Sequence, residues 1–167
     1  NTFEVRTTGG DTTAAAAYYH RAIYGTWPSG ADGEILQARL ELVDMLERAH
    51  QNQDVLAELL LLEDSAHQDP EILLKVAKWY LSAGFAARAA TAFREFIKTN
   101  PDNPEAYTGL GDAELALGDY RSAREAYTAA MRRGDKSVSE RLVTAVELAG
   151  LDPTLRRLGS AERKRRS

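Results

Sequence analysis

With 167 residues, 44% of them hydrophobic and 28% charged, the chain is long enough to bury a core and too apolar to be a disordered segment. The absence of cysteine excludes disulfides, cysteine-ligated zinc and thiol catalysis, and no apolar run reaches the roughly 18 residues of a membrane-spanning helix. The net charge of −4 divides unevenly, +5 over residues 154–167 and −9 over residues 1–153, so an acidic body precedes a basic end. An acidic body disfavours a surface that tracks nucleic-acid phosphates. Composition does not fix the compartment, and a start at Asn1 rather than methionine leaves room for an upstream targeting segment.

Residues 1–10 show no helical period and read as an extended arm or linker closed by Gly9-Gly10. A helix is predicted from Asp11 or Thr12, either able to cap it, to about Tyr24, with Ala15, Tyr19, Ala22 and Ile23 on one face. Pro28 and three glycines make a loop of residues 25–33, with Trp27 expected to lie over an adjoining helix. From Glu34 the period returns. Leu36, Leu40, Val43, Leu46 and Ala49 mark one helix, and after a break at residues 51–53, Val55, Leu56, Leu59, Leu60 and Leu62 mark the next. Asp69-Pro70 and Asn103-Pro104 read as helix starts, a polar cap followed by proline where its missing N–H costs nothing. Gly84 and Gly118 read as helix ends. A further helix is predicted over residues 137–149, with Leu142, Val143, Val146 and Leu148, and Gly150 ends it. Asp152-Pro153 then opens a short basic helical tail that stops in mid-pattern, as a truncated segment would.

The centre of the chain is a repeat. Val76-Ala77, Tyr80, Gly84, Ala89, Phe93 and Phe96 recur 34 residues later as Leu110-Gly111, Glu114, Gly118, Ala123, Tyr127 and Ala130. A period of this size marks stacked helix pairs. Small residues are expected to meet, Ala77 with Ala89 and Gly111 with Ala123, while Phe93 and Tyr127 fill the space beside them. Leu42, Leu46, Val55, Leu59 and Leu62 form a third copy in the same frame, with His50 where the later copies have glycine.

The spacing Tyr107, Leu110-Gly111, Gly118-Asp119-Tyr120, Ala123, Tyr127, Ala130 resembles the tetratricopeptide repeat, and Leu73, Val76-Ala77, Tyr80, Gly84, Ala89, Phe93 and Pro101 match it almost as well. The resemblance spans residues 11–150. It implies an all-α, right-handed superhelical solenoid of antiparallel helix pairs, with full units at about 36–69, 70–103 and 104–137 and half-units at 11–24 and 137–149, leaving the tail 151–167 outside. Three departures stand out. Glu114 takes a position the family fills with a large apolar residue, Asp135 replaces a proline, and residues 30–35 look inserted.

The resemblance further implies a non-enzymatic protein–protein interaction scaffold whose first helices line a concave groove for a peptide or helix. By position, the groove residues are Gln37, Leu40, Asp44, Glu47 and Arg48 in the first unit. Glu71, Leu74, Lys78, Leu81 and Ser82 belong to the second, and Glu105, Thr108, Asp112, Leu115 and Ala116 to the third. Some members clamp a C-terminal carboxylate on this face with basic residues; here the matching positions are mostly acidic or apolar, so no such clamp is expected. An acidic band of Asp44, Glu47, Glu71, Glu105 and Asp112 over Leu40, Leu74, Leu81 and Leu115 suits a basic or amphipathic partner. The plainer alternative is an ordinary solvated face.

No cofactor, metal or catalytic residue is expected. His20, His50 and His67 are too far apart for a local metal motif, and no HExxH, GxSxG or phosphate-binding loop is present. Gly109-Leu110-Gly111 lies inside a predicted helix and reads as packing. Tyr18, Tyr19, Tyr24 and Trp27 are expected as core and loop anchor rather than as a ligand-stacking platform. Rival readings are self-assembly through the terminal helices and, less favoured by charge, a nucleic-acid-binding helical repeat; membrane contact is expected only through the basic tail or a missing segment.

Overall fold

The computed structural model describes residues 12–151. The expected arm over residues 1–10, a cap at Asp11 and the basic tail beyond Leu151 lie outside the described residues. Among those residues the chain is a series of α-helices: α1 (Thr12–Tyr24), α2 (Asp32–Arg48), α3 (Asn52–Gln68), α4 (Pro70–Ser82), α5 (Ala86–Thr99), α6 (Pro104–Leu117), α7 (Tyr120–Arg132) and α8 (Ser139–Gly150). One 3-10 turn, Lys136–Val138, precedes α8. Each helix packs on the next in chain order, and α4 also packs on α6. The result is an all-α solenoid of consecutive helix pairs.

The helix ends arise from local chemistry. Asp69 and Asn103 accept hydrogen bonds from the backbone N–H groups of Glu71 and Glu105, with Pro70 and Pro104 at the first helical positions. Asp135, where the resemblance would place a proline, caps the 3-10 turn instead by accepting from Ser137 N–H at 3.0 Å. Three first helices share one left-handed closure. After α4 and α6, the N–H of Phe85 bonds the carbonyl of Tyr80 at 2.8 Å and that of Asp119 bonds Glu114 at 3.0 Å, across Gly84 and Gly118 at φ of +90° and +79°. His50 closes α2 in the same way, with Gln51 N–H on Leu46 O at 3.0 Å and φ of +55°. The turn therefore keeps its geometry without glycine, at the steric cost of a left-handed side-chain-bearing residue. Helix α2 starts at Asp32, two residues before the expected Glu34, because a first turn containing Asp32 and Gly33 carries no apolar period.

The core runs in two clusters. The larger extends from Ile23 on α1 to Ala113 on α6 and contains all five residues of the weaker repeat copy, Leu42, Leu46, Val55, Leu59 and Leu62. The smaller joins Ala123, Tyr127 and Ala130 to Val138 and Ala145. Helix α6 lies between two fully buried rings, Phe93 from α5 and Tyr127 from α7. A methyl group at Gly109 would run into Phe93, and one at Gly111 would stand 2.5 Å from Tyr127 Cδ1. The ring of Tyr127, rather than the methyl of Ala123, is therefore what presses on Gly111. Two helix-interior glycines cost about 1 kcal/mol each; each buried ring returns about 1.5–3 kcal/mol of apolar burial.

Glu114 shows how the stack absorbs a polar residue at an apolar position. It is only 2% exposed and is ion-paired to Arg94 of α5. The pair ties α5 to α6, and a buried carboxylate requires such a partner.

Gly111→Ala should lower the chemical-denaturation midpoint, since overpacking costs about 1–3 kcal/mol while the alanine gains about 1 kcal/mol of helix propensity. Gly33→Ala, where nothing stands within 4 Å, should leave the midpoint unchanged or raise it. Equal effects of the two substitutions would mean that the rings do not press on the α6 glycines.

Candidate binding groove

Side chains tie α4 to α6 and α6 to α8. Lys78 on α4 is ion-paired with Glu105 on α6, and Arg141 on α8 grips Asp112 on α6 at 2.7 Å. All fifteen sequence-predicted groove residues lie on α2, α4 or α6, the exposed Ser82 and Ala116 among them. Gln37, Arg48, Glu71, Lys78 and Glu105 are exposed; Leu40, Asp44, Glu47, Leu74, Leu81, Thr108, Asp112 and Leu115 are half-buried. Leu40, Leu74 and Leu81 brace the larger core from this face, and Leu115 the smaller.

Four of these residues share one feature. Gln37, Leu40 and Asp44 of α2 and Lys78 of α4 line a cleft of about 330 Å³ between the two helices. Lys75 and Trp79 complete its α4 wall, and Glu41 completes its α2 wall. Those three were missed from sequence because the repeat frame assigns fixed face positions, while a cleft between helices also exposes the flanks. The cleft is polarised, with carboxylates on α2 and ammonium groups on α4.

The acidic band is largely compensated from within. Asp44 pairs with Arg48 one turn along α2 at 2.6 Å, and Glu105 pairs with Lys78. Asp112 accepts from Tyr127 Oη at 2.6 Å and from Arg141. Burial and then that bond to Asp112 push the Tyr127 hydroxyl well above its ordinary pKa, keeping it protonated as a donor. Thr108 donates to Asp135 at 2.6 Å. Thr108 and Asp112 thus fasten α6 to the 3-10 turn, α7 and α8.

At the α1 end a second cleft, of about 460 Å³, lies between α1, the loop after it and α2. Trp27 sits over α1 as expected, its indole N–H donating to the Ala22 carbonyl. Tyr18 (43% exposed) and Tyr24 (56%) are not core residues, contrary to the expectation for this aromatic cluster. Helical spacing places them on α1 but does not supply the neighbour needed to bury them. Tyr24 instead carries the Arg39 guanidinium 5.3 Å from its ring centroid.

The opposite side of the stack holds a cleft of about 440 Å³ between α3 and α5, floored by Leu73, Val76 and Ala92. Two polar links span it. His67 Nδ1 lies 2.5 Å from Glu95 Oε1, and Glu63 accepts from Tyr80 Oη at 3.1 Å and Arg88 at 3.4 Å. Burial, with the Glu63 bond, raises the Tyr80 hydroxyl to about 12. Among the described residues no group of three or more His, Cys, Asp or Glu side chains is placed to hold a metal ion, and no helix is long and apolar enough to cross a membrane.

The hydrogen bond to Glu95, helped by its charge, raises the His67 pKa above the ordinary 6.5. A group whose folded pKa is raised contributes stability that is complete below the unfolded pKa and is lost as pH rises through the folded one. The stability difference between the chain and its His67→Ala variant should therefore be larger at about pH 5.5 than at about pH 8.5, read from urea midpoints. A pH-independent difference would mean that the pair is not formed in solution.

Residues 77–138, from the middle of α4 to the turn before α8, match the family model of the tetratricopeptide repeat. No curated protein matches the chain. That match lies on a stack of consecutive helix pairs, so over this stretch sequence and fold both resemble the tetratricopeptide repeat.

Proposed function

We propose that the chain is a non-enzymatic interaction module that binds a peptide or helix along the α2–α4 side of its first-helix groove. Tetratricopeptide repeats are in general protein–protein interaction modules. The observation that carries the finer reading is the convergence of Gln37, Leu40, Asp44 and Lys78 on one cleft of about 330 Å³. Its half-buried Leu40 offers apolar footing, and its two charged walls offer polar groups of both signs, the combination that lets an amphipathic segment bind in one orientation. Glu71, Leu74 and Leu81 extend the surface along α4; Glu47 and Arg48 extend it along α2. Because its acids are mostly paired, the groove selects by arrangement of charges and only secondarily by net charge.

A specific observation favours one further reading. Helix α8 exposes Val143 (57%) and Val146 (46%), an apolar face at the end of the described solenoid that suits self-association. Light scattering over a concentration series, with Val143→Glu as the control, separates a self-associating chain from one that stays monomeric and binds peptide.

The groove reading is tested by selecting binders from a displayed library of helical and linear peptides. Asp44→Lys combined with Glu71→Lys should weaken the selected peptides by at least about tenfold, close to 1.4 kcal/mol. Charge changes on the second-helix side, such as Arg124→Glu, should leave their affinity unchanged. Loss of binding on the Arg124 side alone would move the site off the groove.

A further inference from the structure

We propose that the cleft between α1 and α2 is a receptor for one cationic side chain, arginine or lysine, of the bound peptide. This assignment rests on the reading of the chain as a peptide-binding module and names what one end of the groove recognises. The cleft, of about 460 Å³, is lined by three aromatic side chains, Tyr18, Tyr19 and Trp27, and by Glu34, Gln37 and Glu41 of α2; among the described residues no lysine or arginine lines it. Aromatic faces beside carboxylates attract a cation twice over, through the ring quadrupole and through charge. The walls are fixed in advance. The Trp27 indole N–H is held by the Ala22 carbonyl, and Tyr18 and Tyr19 meet edge to face with centroids 5.6 Å apart. Glu41 accepts a hydrogen bond from Gln37 Nε2 at 3.1 Å, which holds that carboxylate beside the rings. The Trp27 ring is 36% exposed at this cleft.

Two further observations give the cleft this occupant. Gln37 and Glu41 also line the α2–α4 cleft, so the two clefts adjoin along α2, and a segment lying in one can reach the other. The α2–α4 cleft carries both signs, Lys75 and Lys78 opposite Glu41 and Asp44, whereas the charged side chains lining the α1–α2 cleft, among the described residues, are Glu34 and Glu41. A bound segment is therefore oriented with its cation at the α1 end. The fold already seats its own arginines this way, Arg39 on Tyr24 and Arg133 at 4.1 Å from the Tyr107 centroid.

The test uses the full chain and two small probes of nearly equal shape, N-acetyl-arginine amide and its uncharged counterpart N-acetyl-citrulline amide. The readout is the indole N–H signal of Trp27, assigned by comparison with Trp79→Phe. The arginine probe should shift that signal saturably, the citrulline probe should bind at least about tenfold more weakly, and Glu34→Gln with Glu41→Gln should remove the difference. If that double variant loses helical content, Tyr18→Leu, which keeps both carboxylates, should weaken the arginine probe and leave the weak citrulline response unchanged. Equal responses to the two probes, or none to arginine, overturn the proposal. Groove-selected peptides that tolerate replacement of every arginine and lysine overturn it while leaving the groove reading intact. An arginine response at Trp27 without any groove-selected peptide supports the cleft and overturns the groove reading instead.

Discussion

Two aromatic rings pressed against two bare positions of one helix set the geometry of the central stack. Phe93 lies on Gly109 and Tyr127 on Gly111, so α6 is held close to α5 on one side and to α7 on the other. Close packing of this kind is not adjustable by small increments, because interiors sit near crystal density. Once α6 is fixed, α4 is tied to it through Lys78 and Glu105, and α8 through Arg141 and Asp112. The side of the stack formed by the first helices is the candidate groove. The same Tyr127 that fills the core also hydrogen-bonds Asp112, so core packing and groove chemistry meet in one side chain.

Charge enters the fold mostly as short links between neighbouring helices. Glu114 with Arg94, Glu95 with His67, and Glu63 with Arg88 each join successive units. The buried Glu114 carboxylate depends on Arg94, whereas the exposed links contribute little stability individually. They fix rotation and register, which decides which side chains reach the groove. A chain with a net charge of −4 can therefore present a groove whose acids are largely neutralised and whose remaining polarity runs along α2 and α4.

The fold was legible because its determinants are local and repeated. Proline with a polar cap, glycine after a helix and an apolar period of one face are all readable along the chain, and even the weak copy at Leu42, Leu46, Val55, Leu59 and Leu62 is buried as its frame requires. His50 shows the limit of residue-type reading, since the left-handed turn forms there without glycine. The candidate groove was legible only as a set of positions. That Thr108 and Asp112 are engaged by Asp135, Tyr127 and Arg141 depends on partners 15 to 29 residues away, which no helical period encodes. Lys75 and Trp79 escaped notice because they sit on the flank of α4, and the α3–α5 cleft because it is a gap between units rather than a pattern within one. Tyr18 and Tyr24 of α1 were misplaced into the core for a related reason: spacing identifies a face, and only the neighbouring element decides whether that face is covered.

If the α2–α4 face is a preformed surface for a peptide, binding should leave its mark there and nowhere else along the stack. Hydrogen–deuterium exchange of the chain, free and saturated with a selected peptide, reads this helix by helix. Added protection should be confined to α2, α4 and the end of α1, with α3, α5 and α7 unchanged. Protection appearing in α3 and α5 while α2 and α4 stay unchanged would place the peptide on the opposite side of the solenoid and refute the groove.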